Sequence, residues 1–158
     1  MRGGHAVELK EIYDRIYKYS FYKLRNSAAA EDITQEAFFR YFAQNKSIVK
    51  GEDIAYLYTI ARNLCIDHFR KKQSEELSED YPEESFAENS DTKIAVRAAL
   101  ENLDERHREI IIMRYIGGLS VNETAKASGI SRFAVYRLER AALEKMRNYL
   151  KGAQQYES

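Results

Sequence analysis

The stretch from residue 120 to residue 150 has the fewest structural alternatives in this sequence. Ser120, followed three residues later by Glu123, forms a capping box, in which each side chain satisfies a backbone N–H of the other residue at a helix start. The short helix that it opens reaches Gly129, a residue free to adopt the positive φ that ends a helix. Ser131 then caps a longer helix. Its predicted inward residues are Val135, Leu138, Ala142, Leu143, Met146 and Leu150. This order of elements predicts a helix-turn-helix.

The rest of the sequence also favours helices over strands. One proline and seven glycines among 158 residues leave few turn residues for a sheet. Apolar residues at three- and four-residue steps predict helices over 6–25, 27–43 with Ser27 as its cap, 53–72 and 93–103. Asp104 is predicted to cap a further helix that ends at Gly117 and Gly118. The inward positions predicted on the second, third and fourth helices are Ile33, Ala37, Phe38, Tyr41 and Phe42, then Ile54, Leu57, Tyr58, Ala61, Leu64, Cys65, His68 and Phe69, then Ile94, Val96, Ala99, Leu100 and Leu103.

Charge divides the chain into three segments. Residues 1–73 carry 13 Lys or Arg and 9 Asp or Glu, residues 74–105 carry 2 and 11, and residues 106–158 carry 10 and 5. Residues 74–92 are acidic, hold the single proline and lack sustained periodicity, which is typical of a flexible linker. We therefore expect an all-α chain with two small helical domains, 1–73 and 93–158, joined by that linker. Two basic modules that face nucleic acid would give this pattern, and so would ordinary solvated helix faces.

We call the two predicted domains the first block (residues 1–73) and the second block (residues 93–158). Two surfaces of the first block carry polar side chains in a pattern. Asp32, Gln35 and Glu36 fall at i, i+3 and i+4 on one face of the second helix, which suits either solubility or docking of a basic partner helix. The third helix ends in basic residues, which also stabilise its own dipole. Its candidate residues for stacking on and hydrogen-bonding single-stranded bases are Tyr56, Arg62, Asn63, Arg70 and Lys71.

The second block has a matching candidate surface for duplex DNA. In a helix-turn-helix, the N-terminal part of the second helix enters the major groove. The predicted outward residues there are Arg132, Phe133, Tyr136, Arg137 and Arg140. Arginine forms bidentate bonds to guanine, and aromatic rings contact thymine methyl groups. Thr124 and Lys126, on the first helix of the motif, are placed for phosphates.

The sequence offers little for catalysis, metal binding or membrane insertion. Its three histidines lie on separate segments, and no HExxH, GxSxG or P-loop motif occurs. The single cysteine, Cys65, excludes an intramolecular disulfide and a thiolate zinc cluster. It lies in an apolar stripe and packs as a small hydrophobe, with a redox switch as the alternative. We expect no enzymatic activity, cofactor, metal or membrane segment, and a cytoplasmic location.

Two segments together resemble a known family. The first is AAAEDITQEAFFRYF followed by AYLYTIARNLCIDHFRKK, and the second is LDERHREIIIMRYIGGLSVNETAKASGISRFAVYRLERAALEKMR. They resemble regions 2 and 4 of bacterial RNA polymerase sigma factors, most closely the small extracytoplasmic-function type. The resemblance spans most of residues 6–150, in the order of the family.

The resemblance implies a function and a role for each surface. It implies a sigma factor that binds core RNA polymerase and directs promoter-specific initiation, with Asp32, Gln35 and Glu36 docking on the β′ clamp helices. The loop 45–53 and the third helix would melt and read the −10 element, with His68 added to the five residues above. Region 4 would read the −35 element through Arg132, Phe133, Tyr136 and Arg137 and would hold the β flap. An anti-sigma partner is implied by the resemblance alone.

One alternative is a transcriptional regulator of a single component, in which a sensing or dimerising module is tethered to the helix-turn-helix. Such a protein would bind DNA by itself as a dimer. The first block distinguishes the two, because a regulator needs neither the polar cluster at Asp32 nor the aromatic and basic third helix.

Overall fold

The computed structural model describes residues 2–44, 51–74 and 91–157. All regular structure in these ranges is helical, which confirms the prediction of an all-α fold with a C-terminal helix-turn-helix. The elements in chain order are α1 (Arg2–Leu24), α2 (Ser27–Ala43), α3 (Gly51–Ser74), α4 (Asp91–Glu101), α5 (Glu105–Ile111), a π-helical turn (Ile112–Ile116), α6 (Val121–Ser128) and α7 (Arg132–Glu157).

The linker and loop predictions fall largely outside the described residues. Of the predicted linker 74–92, residues 75–90 are not described, and Asp91 and Thr92 already belong to α4. Of the predicted loop 45–53, residues 45–50 are not described, and residues 51–53 form the first turn of α3. The division into two domains stays a prediction.

Three of the four predicted capping residues cap their helices in the structure. Asp104 accepts from the backbone N–H of His107, and Ser131 accepts from that of Ala134. Ser120 and Glu123 form both bonds of the capping box. The prediction for α2 was wrong by one residue, because the side chain of Asn26 is the acceptor, at 2.9 Å from the N–H of Ala29. Asn26 has the extended backbone of an N-cap, so Ser27 becomes the first helical residue.

Helices α1, α2 and α3 pack around fully buried tyrosines. Tyr19, Tyr41 and Tyr58 have no exposed surface, and the rings of Tyr19 and Tyr58 meet edge to face with centroids 5.4 Å apart. Two predicted inward residues, Phe42 and Phe69, are exposed, since each lies on the margin of its helix's apolar stripe. A broad aromatic stripe therefore supplies both the core and part of the surface.

In the C-terminal part, α4 and α5 pack against α7. Only the last turn of α4 is buried, through Ala99 and Leu100, so the predicted inward residues Ile94 and Val96 in its earlier turns are exposed. Leu143 of α7 is also exposed, although Ala142 and Met146 beside it are buried. The two helical blocks are in direct contact, because a single apolar cluster runs from Ile12 of α1 to Met146 of α7.

Candidate nucleic-acid interface

The outward face of α7 begins directly after the Ser131 cap. All five predicted residues of this face are exposed: Arg132, Phe133, Tyr136, Arg137 and Arg140. Phe133 is the most exposed large apolar side chain among the described residues, at 77%, and Tyr136 is exposed to 58%. The intervening residues Val135 and Leu138 are buried against Ile110 and Ala125. The structure therefore brings guanidinium groups and aromatic rings together on one exposed helix face, the composition that suits contact with a major groove.

The sequence reading missed the ion pair that supports this helix. The Arg114 guanidinium donates to the Glu139 carboxylate on α7 at 3.0 Å and to the carbonyl of Leu119 at 2.7 Å. Both side chains are largely buried. Arg114 thus ties the segment before α6 to the inner face of α7. The 25-residue separation and the surface-like types of the two residues give no local sign of this pair.

The two phosphate candidates on α6 differ. Lys126 is exposed, as phosphate contact requires. Thr124 is 0% exposed and its hydroxyl has no hydrogen-bond partner within the described residues. Thr124 therefore cannot contact a phosphate in this arrangement.

The candidate residues of α3 do not all share one face. Tyr56, Asn63 and Arg70 are spaced by seven residues, about two helical turns, and all three are exposed along one line. Lys71 is exposed beside them, and His68 is half-buried. Arg62 points elsewhere, because its Nε lies 3.7 Å from the carboxylate of Glu109 on α5.

Two features shape the electrostatics of this α3 surface. Burial and the charges of Lys72 and Lys71 lower the pKa of His68, so the imidazole is neutral at physiological pH and the lysines carry the positive charge. The hydroxyl of Tyr56 accepts from Gln44 Nε2 at 2.6 Å, and its ring lies 6.2 Å from that of Tyr41. The Tyr56 ring is thus held at the surface by both neighbours.

On α2, the predicted polar cluster forms an exposed face. Asp32, Gln35 and Glu36 are all exposed, and Arg40 donates to Glu36 at 2.8 Å. Phe39 lies three residues after Glu36 and is 69% exposed. The sequence analysis did not include Phe39 in this face, because a phenylalanine next to the core residue Phe38 is expected to be buried as well.

Cys65 is fully buried. Burial, with a smaller contribution from the Glu109 carboxylate, raises the pKa of its thiol to about 12, although Lys23 acts in the opposite direction. The thiol is therefore protonated, and oxidants react with thiolates. In this arrangement, Cys65 is a packing residue.

The described parts of the chain lack two kinds of feature. Within residues 2–44, 51–74 and 91–157, no group of three or more His, Cys, Asp and Glu side chains is arranged to hold a metal ion. None of the helices in the same ranges has the length and hydropathy needed to cross a membrane.

Comparison with protein families identifies the chain. The family model for sigma-70 region 2 matches residues 9–75, and that for sigma-70 region 4 matches residues 99–148. Together the two matches cover about three quarters of the chain, in the order of the family. The chain belongs to the sigma-70 family of RNA polymerase sigma factors, as a small member of the extracytoplasmic-function (ECF) type. The match over the first block contradicts the alternative of a regulator with an unrelated N-terminal module.

Individual relatives agree with this assignment. The chain is 32% identical to the ECF RNA polymerase sigma factor BldN of Streptomyces coelicolor, in a match covering 94% of this chain and 62% of BldN. It is 29% identical to the ECF sigma factor SigE of Mycolicibacterium smegmatis, covering 90% of this chain and 60% of SigE. The chain therefore spans about three fifths of the length of these two relatives.

Solved structures share the fold. The sigma factor RpoE in complex with the anti-sigma factor NepR from Bartonella quintana matches with a TM-score of 0.71 and 23% identity, covering 92% of this chain and 96% of RpoE. CnrH in complex with the cytosolic domain of CnrY matches with a TM-score of 0.60 and 20% identity, covering 93% of this chain and 84% of CnrH.

Proposed function

We propose that this chain binds core RNA polymerase and directs initiation at promoters with paired −10 and −35 elements. The observation that carries the proposal is the presence of three separate exposed surfaces in one small sigma-70 chain. These are the polar face of α2, the aromatic and basic line along α3, and the exposed outward face of α7. A protein with this role acts in the cytoplasm as a specificity subunit and needs no catalytic group of its own.

The polymerase surface is assigned to α2. Asp32 and Glu36 supply negative charge for basic groups of the clamp helices, and Gln35 lies between them. Phe39 supplies an exposed apolar side chain at the end of this face. An aromatic anchor beside complementary charge is the usual composition of an interaction hot spot. The β flap is assigned to the C-terminal block.

The two promoter surfaces have different tasks. The line Tyr56, Asn63 and Arg70 offers a ring for stacking, an amide for base edges and a cation for phosphates, the chemistry that single-stranded DNA requires. The α7 face, with exposed arginines at its start, suits duplex readout in the major groove. We assign the −10 element to α3 and the −35 element to α7. We also propose an anti-sigma partner, because the structural neighbour RpoE was solved in complex with the anti-sigma factor NepR.

The deciding experiment is transcription from defined promoter templates with purified core polymerase. The chain should co-elute with core and produce transcripts from one start site. Charge reversal at Asp32 and Glu36 together should abolish co-elution while leaving helicity unchanged. The matched control reverses Asp14 and Glu11, two exposed acidic residues of α1. Unchanged affinity of the α2 variant for core would contradict the assigned surface.

A further inference from the structure

The ion pair between Arg114 and Glu139 lies inside the helix-turn-helix, next to the surface that we assign to the −35 element. We propose that Arg114 is a positioning residue for −35 recognition: its guanidinium bridges the start of α6 and the middle of α7, and so fixes how the outward face of α7 meets the major groove. The inference rests on the proposed function, because the residue is defined by the element whose reading it supports.

Glu139 occupies an unusual place on α7. It follows Arg132 by seven residues, about two helical turns, and Tyr136 by three, so helical spacing aligns it with exposed residues of the outward face. Its exposed fraction is nevertheless only 9%. An exposed carboxylate in this line would repel the phosphates of a bound duplex. The fold instead covers it with Arg114 and the neighbouring residue Tyr115.

Two side chains of the π-helical turn form this cover. The Nε of Arg114 donates to the Glu139 carboxylate at 3.0 Å. Burial and a hydrogen bond to Glu139 raise the pKa of the Tyr115 hydroxyl, so the hydroxyl stays protonated and donates to the carboxylate. The Arg114 guanidinium lies over the Tyr115 ring, with its carbon 5.8 Å from the ring centroid. The negative charge on α7 is thus neutralised from the protein side.

The same guanidinium also holds the start of α6. Its Nη1 donates to the carbonyl of Leu119 at 2.7 Å, and Leu119 directly precedes the cap residue Ser120. Arg114 therefore bonds to the beginning of the first helix of the motif and to the middle of the second. Because the N–H groups of a guanidinium form a rigid planar fork, the two acceptors are held in a fixed relation to each other.

The π-helical turn explains how one short segment supplies both side chains of the cover. Its N–H of Gly117 donates to the carbonyl of Ile112, five residues earlier, at 2.7 Å. Adjacent residues of an α-helix point about 100° apart. A π-helical turn holds more residues per turn, so neighbours such as Arg114 and Tyr115 point in closer directions. Single turns of this kind are frequent at functional sites.

Stability is a weak reason for a buried pair at this position. The cost of desolvating two charges offsets most of their attraction, and apolar side chains of similar volume often give a core that is equally stable. An apolar pair, however, has no directional bonds. The ion pair therefore differs from its apolar replacement mainly in fixing one arrangement of α6 and α7.

Two variants with matched controls test the bridge. Arg114→Lys keeps the positive charge beside Glu139 but replaces the planar fork by a single ammonium group. Its control, Arg106→Lys, makes the same change at an exposed position of α5. The double variant Arg114→Met with Glu139→Leu replaces the ion pair by apolar side chains. Its control combines Arg106→Met with Glu144→Leu, both at exposed positions. All four leave the net charge unchanged, so general attraction to DNA stays the same.

The measurement is transcription by core polymerase with the full chain from two templates that share one −10 element. One template has the intact −35 element and the other a scrambled one, and the ratio of their yields is the −35 discrimination. Arg114→Lys and the double variant should each lower this ratio about fivefold or more, since a displaced arginine–guanine pair loses discrimination of that size. Both controls should keep the ratio of the unmodified sequence.

Thermal unfolding followed by circular dichroism separates positioning from stability. The double variant should unfold at about the temperature of the unmodified sequence or above it, although its discrimination is lowered. A folded variant that keeps its discrimination, or that loses yield from both templates by one common factor, would overturn the proposal, and so would an equal loss in its control. Should the double variant fail to fold, Arg114→Lys decides the question alone. Failure of the proposed function is distinguishable, because the unmodified sequence would then show no difference between the two templates.

Discussion

At the scale of single residues, neighbouring arginines on α7 are expected to do different work. Arg137 lies in the part of α7 that we assign to the major groove, and Arg140 lies almost one turn further on. Arg137→Ala should relax the preference at one position of the −35 element, because a bidentate arginine–guanine pair discriminates by about 1–3 kcal/mol. Arg140→Ala should weaken all promoters alike and flatten their salt dependence.

Transcription from a set of single-base −35 variants measures both effects. The same set run with Lys151→Ala, at an exposed position near the end of α7, provides the baseline. If Arg132→Ala and Arg137→Ala lower every template by one common factor, the arginines only position the helix. Base readout would then belong to Phe133 and Tyr136 or to DNA shape.

The ring of Tyr56 should matter for strand opening. Stacking of one base on an aromatic ring is worth about 1–3 kcal/mol. Tyr56→Ala should therefore lower open-complex formation about five-fold or more on duplex templates and much less on a template with a preformed bubble. Tyr56→Phe, which loses only the hydroxyl bonded to Gln44, should stay close to the unmodified sequence. Equal losses on both templates would show that the ring serves packing instead.

At the scale of secondary-structure elements, the start of α2 depends on one cap. Asn26→Ala should lower the free energy of unfolding by about 0.5–2 kcal/mol, because it leaves the N–H of Ala29 without its acceptor. Asn26→Asp keeps an acceptor and should change stability little. Urea unfolding followed by circular dichroism measures both. An alanine variant as stable as the aspartate variant would mean that water replaces the cap.

The helix ends were predictable because the side chains that define them are close in sequence. The caps at Asp104, Ser120 and Ser131 and the left-handed Gly129, with φ of 72°, follow from side chains within three residues of a helix end. The Asn26 cap was misplaced because Asn and Ser are equally good caps and adjacent in sequence. Exposed Ile94 was misread because helical periodicity defines an apolar face but not how much of its length another helix covers.

For the candidate surfaces too, the sequence predicts features within one helix but not contacts between helices that are distant in the chain. The helical periodicity of apolar residues in α7 predicted all five exposed residues of its outward face, since burial there repeats with each helical turn. Contacts between the blocks could not be predicted in this way. Arg15 and Glu109 look like ordinary surface residues in their own helices, and their partners lie about a hundred and about ninety residues away. Only the three-dimensional arrangement shows that each residue contacts these distant partners.

At the scale of the whole molecule, the acidic segment between the blocks should weaken DNA binding by the free chain. Residues 75–90 carry seven Asp or Glu and no Lys or Arg, which offsets the positive charge of the two flanking blocks. Deleting the wider acidic range 74–105 would be a poor test, because it removes α4 and the Asp104 cap.

Neutralising the seven acidic residues with Gln and Asn leaves the described helices intact. Non-specific affinity for duplex DNA should rise at low salt, since less negative charge opposes the phosphates, and the gain should shrink as salt screens both charges. A variant with residues 75–90 in scrambled order keeps the charge and should bind like the unmodified sequence. Fluorescence anisotropy with a labelled duplex at several salt concentrations measures the affinities. A gain that persists at high salt, or one that the scrambled variant reproduces, would mean that the segment acts through its sequence rather than its charge.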